Sequence, residues 1–178
     1  MARKRNDRER TAVDIAEIVN KLKSSLDDPS QGLPEEVFLF VAGVTPMVNV
    51  DLLICDEQGR TLLTWRDDGF YPPGWHIPGG IVRYKEPMTA RIAAVAEIEL
   101  GTTVTFRPEP LAVNEIIRPE WAIRGHFISF LYECRLSGPL CETMRCQNGS
   151  PLPGDWAWHD KCPANLIAVQ DIYRNLFA

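Results

Sequence analysis

The sequence predicts an α+β domain, a mixed sheet with flanking helices, carrying a helical extension at its N-terminus. Three observations carry that prediction. Apolar residues make up 45% of the 178, enough to fill one domain's core at this length. Short runs of strand character and runs of helical period both occur along the chain. The segment 87–100 carries a start signal, Pro87, and a stop signal, Gly101, around a helical pattern.

Composition and charge exclude several classes. The longest apolar run, Val37 to Val44, has eight residues, whereas a membrane span needs about twenty. The first residues, Met-Ala-Arg-Lys-Arg, have no apolar stretch behind them, so a secretory signal is not expected and a cytoplasmic protein is. Residues 1–25 hold seven basic and four acidic groups, net +3, and residues 26–178 hold twelve and twenty, net −8. An acidic body argues against a broad nucleic-acid surface, and the basic start reads as a solvated tail.

The elements follow in order. Residues 11–26 read as a helix, with Val13, Ile18, Val19, Leu22 and Leu26 at three- and four-residue steps. Asp27 to Gly32 breaks it. Leu33 to Val44 reads as a second helix with Pro34, Glu35 and Glu36 in its first turn, ended by Thr45-Pro46. Val48 to Cys55 and Arg60 to Arg66 read as paired strands around the turn Asp56-Glu57-Gln58-Gly59. Residues 67–73 form a loop, and Trp75-His76-Ile77-Pro78 leads into Gly79-Gly80. Strands are expected near 103–107, 111–118 and 126–136. A loop rich in Gly, Pro and Cys fills 137–155, Trp156-Ala157-Trp158 is a short strand, and 165–177 is helical.

On the helix 87–100 the apolar stripe is Met88, Ile92, Val95 and Ala96. Glu99 falls inside that stripe and Glu97 falls opposite. A carboxylate in an apolar stripe must be protonated, hydrogen-bonded or bound to a cation. Geometry alone therefore marks Glu99 as a functional candidate.

The same stretch resembles a known family. Gly80, five residues, Glu86, then a helix ending Glu99-Leu100-Gly101 is similar to the Nudix box, and Gly74 to Gly80 looks like the approach to it. The resemblance implies a Nudix-type α/β/α sandwich with a mixed β-sheet over 33–178, residues 1–32 being an added tail and helix. Outside the box it is closest to the GDP-mannose mannosyl hydrolase branch. Leu33 to Asp51, Thr64-Trp65-Arg66, His126 to Leu136 and Asp155 to Trp158 carry that likeness.

The branch implies Mg²⁺ (or Mn²⁺) and a small-molecule nucleotide-sugar substrate. It also implies a homodimer. Carried over by position, Gly79 and Glu99 would hold the metal, Asp51 and Arg66 would bind sugar and diphosphate, and Glu86 would complete the catalytic set. Gly80, Glu86 and Gly101 are the surviving motif positions. Ala94-Val95 and Ile98 stand where the box has other residues, and Ile81 and Phe127 stand where the branch has an arginine and a tyrosine. The late loop Gln147 to Asp155 has no Glu-His pair to supply a base or a third ligand. Glu115 is the first substitute for the missing carboxylate, with His126, His159 and Asp155 behind it. Three readings stay open: a hydrolase, a module that binds a nucleotide or nucleotide sugar with little or no turnover, and a mainly structural or partner-binding protein with the helix of residues 1–32 as its interaction element. Five cysteines without a Cys-x-x-Cys are expected as free thiols. Cys141, Cys146, His159 and Cys162 have zinc-ligand types at a non-standard spacing.

Overall fold

The computed structural model describes residues 14–177; the basic start of the chain and the first residues of the 11–26 helix lie outside them. α1 spans Ile15–Ser25 and is capped by Asp14, whose carboxylate accepts from the Ala16 and Glu17 amides. None of its residues is buried. α2 spans Glu35–Val44, with Pro34 at its cap rather than inside its first turn. No described helix is long and apolar enough to cross a membrane.

The larger sheet is mixed. β1 (Met47–Ile54) lies between β4 (Gly79–Ile81), which is antiparallel to it, and β7 (His126–Leu136), which is parallel. β5 (Val104–Phe106) and β6 (Ala112–Ile117) pair with opposite ends of β7. A smaller antiparallel sheet runs β3 (Gly74–His76), β2 (Thr61–Arg66), β8 (Trp156–His159). Two of these strands, β3 and β4, fall where the sequence showed only a lead into Gly-Gly. Three-residue strands have too little length to display a period of two.

α3 (Met88–Leu100) packs Ile92, Val95, Ala96 and Leu100 against Val50, Leu52, Ile54 and Cys134 of the sheet. Fully burying an aliphatic side chain contributes about 1.5–3 kcal/mol, so this stripe is what seats the helix. Pro87 occupies the cap position, with its carbonyl accepting from the Ala90 and Arg91 amides. Gly101 ends the helix at φ 60, a left-handed conformation that glycine adopts without penalty. On the opposite sheet face, Leu53 and Leu131 meet Leu63, Trp75, Ile77 and Tyr173. Tyr173 comes from the C-terminal segment Ala168–Leu176, which is a 3₁₀ helix. The layers are thus helix, sheet, helix. The two glycines of β4 allow its close packing. A Cβ on Gly79 would strike the Asp51 carboxylate and the Val50 carbonyl oxygen, and one on Gly80 would lie 2.8 Å from Val95 Cγ2.

Candidate active site

Glu99 is carried by the last turn of α3 to the seam between the two sheets. Its side chain keeps 22% exposure, and Ile98 beside it is 65% exposed, so the chain turns the carboxylate inward and the aliphatic residue outward. Thr64 Oγ1, from β2, lies 2.7 Å from Glu99 Oε2. The Gly79 amide donates to Oε1 at 3.4 Å. His76 Nε2, from β3, is 3.7 Å from Oε2. Burial pushes the Glu99 carboxyl up to about 7, against the Thr64 hydrogen bond and the Arg66 charge.

His76 is 5% exposed, and burial, helped by the charge of Arg66, pushes its imidazole down to about 3. It is neutral and carries one ring proton. Nδ1 faces the Ile77 carbonyl oxygen at 2.9 Å, so the proton belongs there and Nε2 is left an acceptor. Thr64 Oγ1 is 3.0 Å from that Nε2 and also touches Glu99. One hydroxyl proton cannot serve both contacts. Thr64 donates to Glu99 when that carboxylate is ionised; a proton on Glu99 lets both contacts be made at once, and the raised carboxyl favours that form.

Asp51, 2% exposed, projects from β1 on the sheet face opposite α3. It accepts from Tyr173 Oη at 2.7 Å, Asn49 Nδ2 at 2.9 Å, Gln170 Nε2 at 3.2 Å, and Ser129 Oγ. Burial raises its carboxyl and these four donors lower it, with burial the larger. Gln170 also grips the Ile77 amide at 2.6 Å and its carbonyl at 3.0 Å. The C-terminal segment therefore ties Asp51 to the Trp75–Gly80 stretch.

A pocket of about 110 Å³ opens between these groups. Asn49, Asp51, Ser129 and Gln170 form one wall, with His76 and Gly79 beside them. Arg66, Tyr71 and Arg124 form a basic, aromatic wall. Ile116, Phe127, Ile167 and Val169 supply the apolar floor. Arg66 Nε is paired with Asp68 Oδ2 at 2.9 Å. The structure thus brings together Asp51, Arg66, Gly79 and Gly80 on one pocket, with Glu99 directly behind Gly79 and His76.

Other positions named from the sequence go elsewhere. Glu86 accepts from Arg91 through both oxygens, at 2.8 and 2.9 Å, and from the Arg83 amide at 2.9 Å. Despite desolvation, these contacts hold its carboxyl below the usual range. Glu115 pairs across the strands with Ile128, one residue out of step with Ser129, so it points to the face away from Asp51. Its neighbour is His126 Nε2 at 3.4 Å, not Glu99. Asp155 accepts from the Leu152 amide within its own loop. His159 packs edge-on against Trp75. The five cysteines are free, and among the described residues no three His, Cys, Asp or Glu side chains form a metal-holding group.

Sequence reasoning missed Thr64, Ser129, Arg124, Gln170 and Tyr173, and gave His76 no role. A histidine between Trp75 and Ile77, and polar residues inside the strand 61–66, were available signals. Gln170 and Tyr173 offered none, because their contacts lie about a hundred residues away along the chain.

The sequence matches the NUDIX domain family over residues 45–149, from the start of β1 into the late loop. A curated relative, the low-salt glycan biosynthesis protein Agl8 of Haloferax volcanii, is 34% identical over 84 residues, 47% of this chain and 53% of that protein. The match thus spans about half the length of the relative. Among solved structures, a MutT NUDIX hydrolase from Burkholderia pseudomallei superposes with a TM-score of 0.58 at 24% identity, covering 75% of this chain and 99% of that one. A UDP-X diphosphatase gives 0.54 at 21% identity, covering 90% and 73%. At these identities the likeness is one of fold.

Proposed function

The chain belongs to the NUDIX domain family, and from that premise we propose that it is a divalent-metal-dependent hydrolase of a nucleoside diphosphate derivative, with nucleotide sugars of the GDP-mannose kind foremost. The observation that carries the reading is Glu99: a largely buried carboxylate with no Lys or Arg paired to it among the described residues, next to a pocket with a basic wall. That the relative Agl8 is a glycan biosynthesis protein supports a sugar-linked ligand.

The donors fit one cation held by Glu99 with the Gly79 backbone and completed by water and ligand phosphate oxygens. They do not fit a site built from protein carboxylates alone. Magnesium commonly binds through one or two carboxylates plus phosphates. When bound, the ion supplies charge neutralisation at the diphosphate.

The chain's own residues do the rest. Glu99 as its carboxylate would hold the ion, and Thr64 keeps that carboxylate oriented. Arg66, a planar fork at the pocket rim, contacts phosphate oxygens. Asp51 has every oxygen engaged, so it acts as a positioning residue that fixes Asn49, Ser129 and Gln170 along the wall. Glu86 holds the turn into α3 through Arg91. A homodimer through the exposed apolar residues of α1 and α2, among them Ile15, Ile18, Phe40 and Val44, belongs to the same proposal, as does the treatment of residues 1–32 as an appended element.

A binding module with little turnover is the second reading, favoured by the late loop, where an exposed Leu152 and Pro153 offer no base. The test is incubation with a panel of nucleoside diphosphate sugars, with and without Mg²⁺, followed by phosphorus and proton NMR. Metal-dependent product formation is the expected result. A panel left intact, with ligand bound, would establish the module instead.

A further inference from the structure

The loop between β6 and β7 buries a cation whose charge and N–H groups are only partly met. Arg124 is 8% exposed and lines the pocket. Its nearest carboxylate, Asp68 Oδ2, is 3.9 Å away and already engaged by Arg66 at 2.9 Å. Arg124 Nε is buried with no hydrogen-bond partner among the described residues. The Tyr71 side chain hydrogen-bonds the guanidinium but leaves Nε unmet; a desolvated, incompletely paired cation is costly, and replacing a buried charge by an apolar residue is often neutral or stabilising.

The loop is nevertheless built to hold it there. Arg124 sits at φ 58, a strained backbone for a residue with a side chain. Its amide donates to the Ala42 carbonyl of α2 at 3.2 Å. The Arg118 amide donates to the Gly125 carbonyl at 2.7 Å, closing the loop. A Cβ on Gly125 would come 2.7 Å from the Arg118 oxygen and 2.8 Å from the Trp121 oxygen, so only glycine fits. The guanidinium lies 4.6 Å from the ring centre of Phe70, 5.4 Å from Tyr71 and 5.9 Å from Phe38. Such stacking covers the flat faces of the guanidinium and leaves its N–H edge to donate.

Arg66 lies on the other side of Tyr71, at 5.6 Å from its ring centre. Two guanidiniums thus share one aromatic ring and one carboxylate, leaving a net positive wall. We propose that Arg124 and Arg66 together form a clamp for a phosphate-bearing anion, with Arg124 supplying the buried half of it and selecting a diphosphate over a single phosphate. A monoester can satisfy one fork; two adjacent phosphoryl groups are needed to satisfy both. The inference rests on the reading of this pocket as the ligand site.

The test is thermal unfolding and calorimetric titration of the full chain with inorganic pyrophosphate and with inorganic phosphate, in the absence of metal. Pyrophosphate is expected to bind and to raise Tm, and phosphate to bind more weakly. Arg124→Met should lose roughly 10- to 100-fold in pyrophosphate affinity, the range a charge-assisted hydrogen bond carries, while its own Tm stays level or rises. Arg124→Lys keeps the charge without the fork and should fall between the two, which covers a Met variant that fails to fold. Pyrophosphate binding that is undiminished in either folded variant would overturn the clamp, as would a wild type that pyrophosphate does not protect. Turnover of a panel substrate with an unchanged KM in Arg124→Met would overturn it while leaving the proposed activity standing.

Discussion

At the two ends of α3 the same kind of side chain meets opposite surroundings. Glu86, just before the helix, finds a buried arginine one and a half turns on, and its carboxyl is held low. Glu99, in the last turn, finds a hydroxyl, an amide and a neutral imidazole, and its carboxyl is pushed up to about 7. Both belong to one sequence motif and both are withdrawn from bulk water. The difference is in what neutralises them. A carboxylate that its own chain already neutralises holds structure; one that the chain leaves without a cation is free to take one from solution.

The largest expected effect separates the two. Glu99→Gln keeps the shape and removes the charge, and should lower metal-dependent turnover by on the order of 10²–10⁴-fold, the several kcal/mol that a bound cation supplies. Steady-state rates at saturating Mg²⁺ measure it. A Glu99→Gln protein with full activity would place the metal elsewhere.

Glu86→Gln should do the reverse. It strands Arg91, whose side chain is 8% exposed, and removing one partner of a buried pair costs about 3–5 kcal/mol. Denaturant unfolding should show that loss, while turnover per folded molecule stays within about threefold of wild type, since no contact to the pocket is removed. If instead stability holds and turnover collapses, Glu86 belongs to the catalytic set after all.

How much of this was legible in the sequence differs along the chain. The buried stripe of α3 announced Glu99, because a period of 3.6 over fourteen residues is long enough to place one carboxylate among aliphatics. β1 and β2 were legible as apolar runs on either side of the turn at 56–59, and both are nearly continuously buried rather than alternating. Asp51 was marked by the family likeness, though not the four donors that saturate it. Those donors come from Asn49 two residues back on the same strand, from Ser129 on the neighbouring strand and from Gln170 and Tyr173 near the chain's end, and no local pattern encodes a contact across 119 or 122 residues. Glu115 shows the complementary failure. Its strand was read correctly and its register turns it from the Asp51 wall, but it stands exposed beside His126 rather than near Glu99, a placement no local pattern encodes. Arg124 lay in a loop, where positive φ and aromatic stacking leave no periodic trace.

The smallest expected effect probes the shared proton, through the pH dependence of stability without metal. Glu99 rises from 4.5 to about 7 on folding, so the folded state holds its proton more tightly. Its stabilisation is full below pH 4.5 and is lost as pH rises toward 7. His76 falls from 6.5 to about 3, so its stabilisation is full above 6.5 and is lost as pH falls toward 3. Between pH 4.5 and 6.5 the two slopes oppose, each near 1.4 kcal/mol per pH unit, and these two groups together should leave wild-type stability nearly flat there. Glu99→Gln removes one of them. On going from pH 6.5 to 4.5 the variant should therefore lose about 3 kcal/mol more than wild type, all of it from charging His76. Saturating Mg²⁺ should tilt the wild-type curve in the same direction, because Glu99 binds the ion only after losing its proton and binding then weakens as pH falls. Parallel curves for wild type and variant would mean that Glu99 is ionised throughout, and the hydrogen bonds joining Glu99, Thr64 and His76 would have to be counted again without that proton.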